Sequence, residues 1–202
     1  TPTATPVPPT KYVDIGAGWT HTCAVTDDLS VYCWGADNYG QLGNGNIYSS
    51  IAVPIEVKEL ISGVVNISVP SSGVHTCALT NTGGVTCWGF NNNNELGTHV
   101  YGHQSYPAQI NIFGIKSIAA GSYHTCALPH GGTVRCWGNN YYGQLGIDTW
   151  INDGYVKDQN DNELTQITAI TSGENHACAL SQDGKVSCWG DNQFGQLGDG
   201  TN

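Results

Sequence analysis

The feature that most constrains this chain is a fifteen-residue pattern that occurs four times, with two cysteines at the same places each time. The copies read HTCAVTDDLSVYCWG (21–35), HTCALTNTGGVTCWG (75–89), HTCALPHGGTVRCWG (124–138) and HACALSQDGKVSCWG (176–190). Their first cysteines stand at positions 23, 77, 126 and 178, so the repeat is about 50 residues long. A period of this length is typical of propeller blades rather than of helical solenoids.

Each copy has the pattern of a β-hairpin. Its residues alternate with period two, so that His21, Cys23 and Val25 share one face of a strand. Turn-forming residues such as Asp183-Gly184 follow, and a second run leads into Cys-Trp-Gly. Two antiparallel strands joined by a tight turn are therefore predicted four times.

Further strand-like pieces flank each hairpin. The upstream pieces are YVDIGAG, NISVPSS, KSIAAGS and TAITSGE; the downstream pieces are AVPIEV, YPAQI and, less clearly, ELTQI. Four strands per repeat predict an all-β fold, a β-propeller of four-stranded blades. The expected organisation is a Thr/Pro-rich linker or tail at 1–10 and blades at about 11–60, 61–113, 114–166 and 167–202.

The spacing of the cysteines favours disulfides within each hairpin. Cys23 and Cys33 are equally far from position 28 at the turn, so they should lie opposite each other, within disulfide reach. Reduced thiols and a metal are the alternatives, but a metal would lack a fourth ligand and the usual zinc spacing. The predicted pairs are Cys23–Cys33, Cys77–Cys87, Cys126–Cys136 and Cys178–Cys188. Eight paired cysteines indicate an oxidising compartment, and hence an extracellular or cell-surface protein.

Composition and charge exclude several partners. Only 11% of residues are charged while glycines number 27, which suits a β-protein with many tight turns. A net charge of −10 with six Lys and Arg argues against nucleic acid as a partner. No apolar run approaches the roughly 18 residues of a spanning helix, so membrane insertion is not expected.

The extended motif G-x-x-HTCALT-x-x-G-x-V-x-CWG-x-N-x-x-GQLG resembles the repeat of the regulator of chromosome condensation family, over positions 12 to 200. The resemblance implies a propeller that usually closes with seven blades, so that four blades would form an incomplete arc. Cysteines stand where the family usually has Leu or Ser, which resembles a secreted bacterial branch. The second repeat departs from the motif at 93–97, where Asn-Asn-Glu-Leu-Gly replaces aromatic-Gly-Gln-Leu-Gly, and its glycine before the hairpin has moved to Gly73.

Family members with this fold include a nucleotide-exchange factor on chromatin, an ultraviolet photoreceptor and a secreted β-lactamase inhibitor. An acidic chain with paired cysteines disfavours the first of these roles. A photoreceptor needs a tryptophan cluster at a dimer surface, whereas four tryptophans here occupy one repeated position and are expected to pack between blades: Trp34, Trp88, Trp137 and Trp189.

No catalytic, metal or cofactor site is expected. The best-placed histidines recur in every repeat, at His21, His75, His124 and His176. An active site needs a set of residues that occurs only once, so these histidines are not expected to be catalytic. His99 and His103 lie outside the repeat core, in a segment that reads as a surface loop. The segment 158–163 resembles a calcium loop but lacks its turn glycine and its last glutamate. Asn66 begins an N-glycosylation sequon.

Two loops that interrupt the repeat, 99–106 and 148–163, are the candidate partner-binding segments because they carry aromatic residues typical of hot spots. The candidate residues are Tyr101, His103, Tyr106, Trp150 and Tyr155. The alternative is that these side chains only cover a neighbouring blade. The predicted function is a non-enzymatic extracellular protein-interaction or scaffold module; the alternative is a secreted inhibitor that caps an enzyme's active site with one propeller face.

The fourth repeat reaches GQLGDGTN without a downstream strand. An unpaired strand edge recruits another strand or another chain. We therefore expect the arc to associate through its blade ends, with further copies of itself or with the remainder of a longer chain. The tail TATPVPPT is a candidate for the missing strand, limited by its prolines to an edge position.

Overall fold

The computed structural model describes residues 11–47, 50–60, 62–148 and 151–201, and these form fifteen β-strands and no helix. The strands pair into four antiparallel sheets, one per repeat, as the sequence predicts. No helix that could cross a lipid bilayer occurs in the described part of the chain. The tail at 1–10 lies outside the described residues.

Each sheet is one blade, with its strands in chain order. Blade one contains β1 (Tyr12–Ala17), β2 (His21–Thr26), β3 (Val31–Gly35) and β4 (Ile51–Glu56). Blade two contains β5 (Val64–Ser68), β6 (His75–Thr80), β7 (Val85–Gly89) and β8 (Gln104–Ile110). Blade three contains β9 (Ile115–Ala120), β10 (His124–Pro129), β11 (Arg135–Gly138) and β12 (Asp153–Tyr155). Blade four contains β13 (Ile167–Ser172), β14 (His176–Ser181) and β15 (Val186–Gly190).

The outer strand of blade three differs from the predicted one. It is β12, whereas the predicted ELTQI piece at 163–167 folds back on the link before it, with Leu164 N–H donating to the Val156 carbonyl at 2.7 Å. β12 pairs with β11, and the Arg135 guanidinium of β11 binds the Asp153 carboxylate of β12 at 2.7 and 2.8 Å. The other downstream pieces form β4 and β8.

The hairpins place the cysteines opposite one another, at the same register in all four blades. In each blade the two half-cystines are direct cross-strand partners with Cα atoms 4.1 Å apart. The disulfides join Cys23–Cys33, Cys77–Cys87, Cys126–Cys136 and Cys178–Cys188. Each closes a loop of about ten residues, which stabilises the fold by about 2–3 kcal/mol.

The hydrophobic core lies between the blades rather than within one. Because Cys33 and Trp34 are adjacent in a strand, disulfide and indole project from opposite faces of a blade. The disulfide face of blade one therefore packs on the Trp88 face of blade two, and the disulfide face of blade two packs on Trp137. Trp88 and Trp137 are buried, as predicted for residues that pack between blades. Trp189 is partly buried, and so is Trp34, which lies on the face of blade one away from blade two.

A repeated polar contact connects each blade to the next. The indole N–H of Trp88 donates to the Gln41 carbonyl at 2.9 Å, Trp137 donates to the Glu95 carbonyl at 2.9 Å and Trp189 donates to the Gln144 carbonyl at 3.0 Å. The residue two places after the acceptor must be glycine. A Cβ on Gly43, which has φ +66°, would lie 3.0 Å from the Trp88 indole nitrogen. The Gly-Gln-Leu-Gly motif thus receives the tryptophan of the following blade.

The repeated histidines make a second contact between blades. His21 Nε2 lies 2.8 Å from Thr76 Oγ1, and His75 Nε2 lies 3.0 Å from Thr125 Oγ1. Burial lowers the pKa of His21 and His124 to about 4 and that of His75 to about 3, so these imidazoles are neutral at pH 7.

The series breaks at blade four. The residue at the Thr76 and Thr125 position is Ala177, which has no hydroxyl, and both nitrogens of the buried His124 ring lack a hydrogen-bond partner. A buried polar group without a partner costs free energy. The interface between blades three and four is therefore the least satisfied of the three.

We predict that Ala177→Thr stabilises the protein. The new hydroxyl would meet His124 Nε2 as Thr125 meets His75, which is worth about 1 kcal/mol in the free energy of unfolding. Thr125→Ala is the matched reverse change, and it should lower the free energy of unfolding by a similar amount or more. Denaturant titration of the disulfide-intact variants measures both, and a destabilised Ala177→Thr protein would contradict this account.

We also predict that acid weakens the blade interfaces through the buried histidines. Their folded-state pKa values lie below the unfolded value of 6.5, so the unfolded chain binds more protons below that pH. Their contribution is complete above pH 6.5 and is lost as the pH falls towards 4 and 3. In His75→Gln the pH dependence of the free energy of unfolding should be shallower by about one proton; an unchanged slope would refute the role given to His75.

Candidate functional site

The strand order gives the arc two different rims. Connections between the first and second strands and between the third and fourth strands leave on one rim, here called the loop face. It comprises 18–20, 36–50, 69–74, 90–103, 121–123, 139–152, 173–175 and 191–201, within the described residues. Hairpin turns and links between blades form the opposite rim, the turn face, which comprises 27–30, 57–60, 62–63, 81–84, 111–114, 130–134, 156–166 and 182–185.

The long loops of the loop face share one internal frame. The side chain two places after Cys-Trp-Gly accepts a hydrogen bond from the backbone N–H of the leucine in Gly-Gln-Leu-Gly or its equivalent. Leu42 donates to Asp37 Oδ1 at 3.0 Å, and Leu96 donates to Asn91 Oδ1 at 2.9 Å. Burial of Asp37 raises its carboxyl pKa. The same bond recurs from Leu145 to Asn140 and from Leu197 to Asn192. Side chains at the loop tips are thus displayed on a hydrogen-bonded base.

The departure in the second repeat preserves this frame. Asn94 stands where other blades have glycine and adopts φ 67°, a conformation that asparagine tolerates. Glu95 accepts the N–H of Asn93 at 2.8 Å, as Gln41 accepts that of Tyr39 at 2.8 Å. Burial raises the pKa of the Glu95 carboxyl, while its bonds from Asn93 act in the opposite direction.

Exposed aromatic side chains concentrate on the loop face. Tyr141 and Phe194 are 82% and 84% exposed at the tips of the loops of blades three and four. The exposed aromatic residues of the loop face are Trp19, Tyr101, Tyr123, Tyr141, Tyr142 and Phe194. On the turn face, Phe113 is the exposed aromatic residue among those described. Of these loop-face residues, only Tyr101 was a candidate from the sequence.

The predicted partner-binding residues that the structure describes belong to different elements. Tyr101 is exposed, and its hydroxyl accepts the Asn152 amide at 3.1 Å. Tyr106 and Tyr155 lie on the outer strands β8 and β12, where Tyr106 packs over Gly45. Trp150 falls outside the described residues. The described candidates are thus divided between the loop face and the outer strands of blades two and three.

His103 belongs to an aromatic cluster that links loops of three blades. Its ring stacks on Phe90 with centroids 5.1 Å apart and meets Tyr39 edge-on at 4.8 Å. Phe90 also contacts Tyr123 of blade three, at 6.1 Å between centroids. Burial lowers the pKa of His103. This histidine supports the floor of the loop face.

The lysines lie at one end of the blades, whereas acidic side chains occur on both rims. Lys58, Lys157 and Lys185 are on the turn face, and Lys11 and Lys116 lie at the same end of β1 and β9. The single arginine, Arg135, is paired with Asp153, and this bond raises its pKa. The loop face carries carboxylates, including the exposed Glu174 and the part-exposed Asp191. Among described residues, neither carboxylate forms an ion pair.

The residues that the sequence suggested for metal binding or glycosylation form contacts within the fold. His99 lies 3.2 Å from Asp153, and Asp158 accepts the N–H groups of Asn160 and Asn162 at 2.8 and 2.9 Å. Asn66 donates its amide to Asp14 of blade one at 3.0 Å. Within the described ranges, no group of three His, Cys, Asp or Glu residues is arranged to hold a metal ion.

Comparison with known proteins agrees with this architecture. A model of the regulator of chromosome condensation (RCC1) repeat matches residues 12–41, 64–95, 115–144 and 167–196. The human E3 ubiquitin-protein ligase HERC2 is 33% identical over 95% of this chain, and the human probable ligase HERC4 is 35% identical over 93%. The chain spans 3% and 13% of the length of those two relatives.

The structural comparison gives the same result. The crystal structure of Prp20p from Saccharomyces cerevisiae, described with its binding properties to Gsp1p and histones, has a TM-score of 0.76 and 29% identity. The match covers 91% of this chain and 45% of Prp20p. The repeat motif, the stacked four-stranded blades and these matches lead to one conclusion: the chain belongs to the family of RCC1-repeat proteins.

Proposed function

We propose that this chain is a non-enzymatic, extracellular protein-interaction module that holds its partner on the loop face. The observation that carries the proposal is the concentration of exposed aromatic side chains on that rim. Aromatic residues dominate the energetics of protein interfaces, because they bury much area at little cost in side-chain entropy. The hydrogen-bonded loop bases present them on a fixed scaffold.

The disulfides support the extracellular part of the proposal. Three of the pairs are buried in the interfaces between blades, the fourth, Cys178–Cys188, is partly buried on blade four, and no free cysteine occurs among the described residues. Structural disulfides of this kind persist in oxidising compartments and are rare in the cytosol. The intracellular role of a chromatin-bound relative would not need them.

The burial of the repeated histidines supports a non-enzymatic role. His21, His75 and His124 contact no solvent and are kept neutral by burial. A general base must reach a substrate proton, which these rings do not. Relatives support a binding role: Prp20p is described with Gsp1p and histones, and yeast RCC1 bound to Kap60 has also been solved.

Self-association through the blade ends is a second candidate. Trp34 has no hydrogen bond from its indole N–H among the described residues, although its three counterparts each donate to the preceding blade. The Gln196 carbonyl occupies the position of the acceptors on blade four. A blade from another copy, or from the remainder of a longer chain, would supply an acceptor for the Trp34 indole N–H and an indole donor for the Gln196 carbonyl. Concentration-dependent light scattering tests this candidate, and a monomer at all concentrations would reject association between copies.

The inhibitor alternative uses the same loop face, with the aromatic rim capping an enzyme's active site. It differs from a scaffold role in its readout, because the captured partner would lose activity when bound.

We predict that Tyr141→Ala/Phe194→Ala reduces partner capture from native extracellular medium at least fivefold, because both rings are exposed and support no core packing. Phe113→Ala, at a ring 68% exposed on the turn face, is the matched control and should leave capture unchanged. Quantitative mass spectrometry of captured proteins measures both. Equal capture by all three proteins would contradict the assignment of binding to the loop face.

A further inference from the structure

We propose that the loop face carries a binding site for a neutral oligosaccharide, in a groove between the long loops of blades two and three. This groove, here called the amide groove, has a volume of about 380 Å³. Such a volume lies within the range of small-molecule sites, roughly 300–1,000 Å³. Asparagine amides and tyrosine rings line it: Asn92, Asn93, Tyr101, Asn139, Tyr141 and Asn152. The proposal adds a second class of ligand to the loop face, beyond the protein partner proposed above.

The departure of the second repeat from the family motif accounts for the polar lining of the groove. Between blades one and two, Tyr39 meets Phe90 edge-on with ring centroids 5.2 Å apart. Asn93 and Asn139 stand at the equivalent positions of the next two blades. There, Asn139 Nδ2 donates to Asn93 Oδ1 at 3.3 Å. A contact between two aromatic rings is thus replaced by a contact between two smaller amides, which leaves a polar groove beside them.

The amides of the groove keep hydrogen-bonding capacity for a ligand. An asparagine side chain has two N–H donors and an acceptor oxygen. Asn152 donates one N–H to the Tyr101 hydroxyl at 3.1 Å, and that hydroxyl can still donate its own hydrogen. Asn92 is exposed, so its amide is open to a ligand. Donors and acceptors side by side suit a sugar, because each sugar hydroxyl both donates and accepts.

Two tyrosine rings line the same groove. Tyr101 and Tyr141 are 63% and 82% exposed, so both rings are accessible to a ligand. Tyr101 is restrained by its bond from Asn152, and Tyr141 meets Tyr142 edge-on with centroids 5.0 Å apart. A sugar ring presents apolar C–H groups on one face, which pack on an aromatic ring while its hydroxyls reach polar groups at the side. Rings and amides together therefore suit a pyranose.

The lack of charge in the groove decides between classes of ligand. Among the described residues that line it, none is charged. The carboxylate of Asp153, next in the chain to Asn152, binds Arg135 at 2.7 Å, and Glu95 is buried. An anionic ligand would find no cation in the groove and would be repelled by a chain of net charge −10. A basic peptide would find no exposed carboxylate among the lining residues. These features favour a neutral ligand rich in hydroxyl groups.

The test screens the disulfide-intact chain against an array of immobilised glycans, which holds neutral glycans of glycoproteins and fragments of neutral polysaccharides. We expect binding to neutral glycans, and the half of the array that binds identifies the natural source. The best-binding glycan, in free form, is then titrated by calorimetry. Its affinity should change less than about twofold between about 0.05 and 0.5 M salt, because the contact involves no charge. No binding to neutral glycans, or a preference for sulfated or sialylated ones, would overturn the inference.

Matched variants locate the contact. Asn92→Ala/Asn152→Ala removes two exposed amides that take no part in the hydrogen-bonded loop bases, and should weaken glycan binding at least about fivefold. Tyr101→Ala should have an effect of similar size. Asn38→Ala removes the exposed amide at the position of Asn92 in blade one, and Phe194→Ala removes an exposed ring outside the groove. Both controls should leave the affinity unchanged.

The variants also separate this inference from the proposed protein contact. Glycan binding that persists in Asn92→Ala/Asn152→Ala and in Tyr101→Ala, or that falls equally in the two controls, would overturn the amide groove and leave the protein contact standing. Loss of glycan binding in the groove variants alone would support the groove, whatever protein the loop face captures.

Discussion

The hydrogen bond from a tryptophan indole to a loop carbonyl of the preceding blade is the contact on which the rest of this structure depends. It occurs at Trp88, Trp137 and Trp189, at 2.9 to 3.0 Å each time. A single four-stranded blade has little core of its own, and its two faces are covered only by neighbouring blades. The indole fills that interface and satisfies a buried carbonyl with one side chain, so the position of each blade follows from the one before it.

This stacking explains why the loop face is suited to binding. The carbonyl acceptors Gln41, Glu95 and Gln144 belong to the long loops of blades one to three, and the loop of blade three carries Tyr141 and Tyr142 at its tip. The base of each of these three loops is therefore anchored twice, by its own asparagine or aspartate and by the indole of the next blade, while the Phe194 loop is anchored by Asn192. Binding residues placed on such anchored loops need little reordering when a partner docks.

Much of the fold could be predicted from the sequence because the repeat carries its own geometry. Two cysteines equidistant from a turn specify a cross-strand pair, and a tryptophan next to one of them must project to the other side. The outer strand of blade three could not be predicted in this way. It has only three residues, which is too short for an alternating pattern, and its Asp153 binds Arg135 of the neighbouring strand. The ELTQI piece has a better strand composition, but its chain folds back on the link at Val156.

The candidate site was harder to read from the sequence than the fold. Attention to loops that break the repeat identified Tyr101 but missed Trp19, Tyr123, Tyr141, Tyr142 and Phe194, which lie inside the repeating motif. Their common location appears only when strand order places two kinds of loop on one rim. The signal in the sequence was the variable position before Gly-Gln-Leu-Gly, which is aromatic in blades one, three and four.

Hydrogen exchange of the tryptophan indole N–H groups, followed by NMR with assignment by single Trp→Phe variants, tests the central claim most directly. The indoles of Trp88, Trp137 and Trp189 should exchange slowly, because each is hydrogen-bonded within an interface between blades. Trp19, 71% exposed, should exchange rapidly. Exchange at Trp88 and Trp137 as rapid as at Trp19 would contradict the account, since the contact that orders the blades would then be absent.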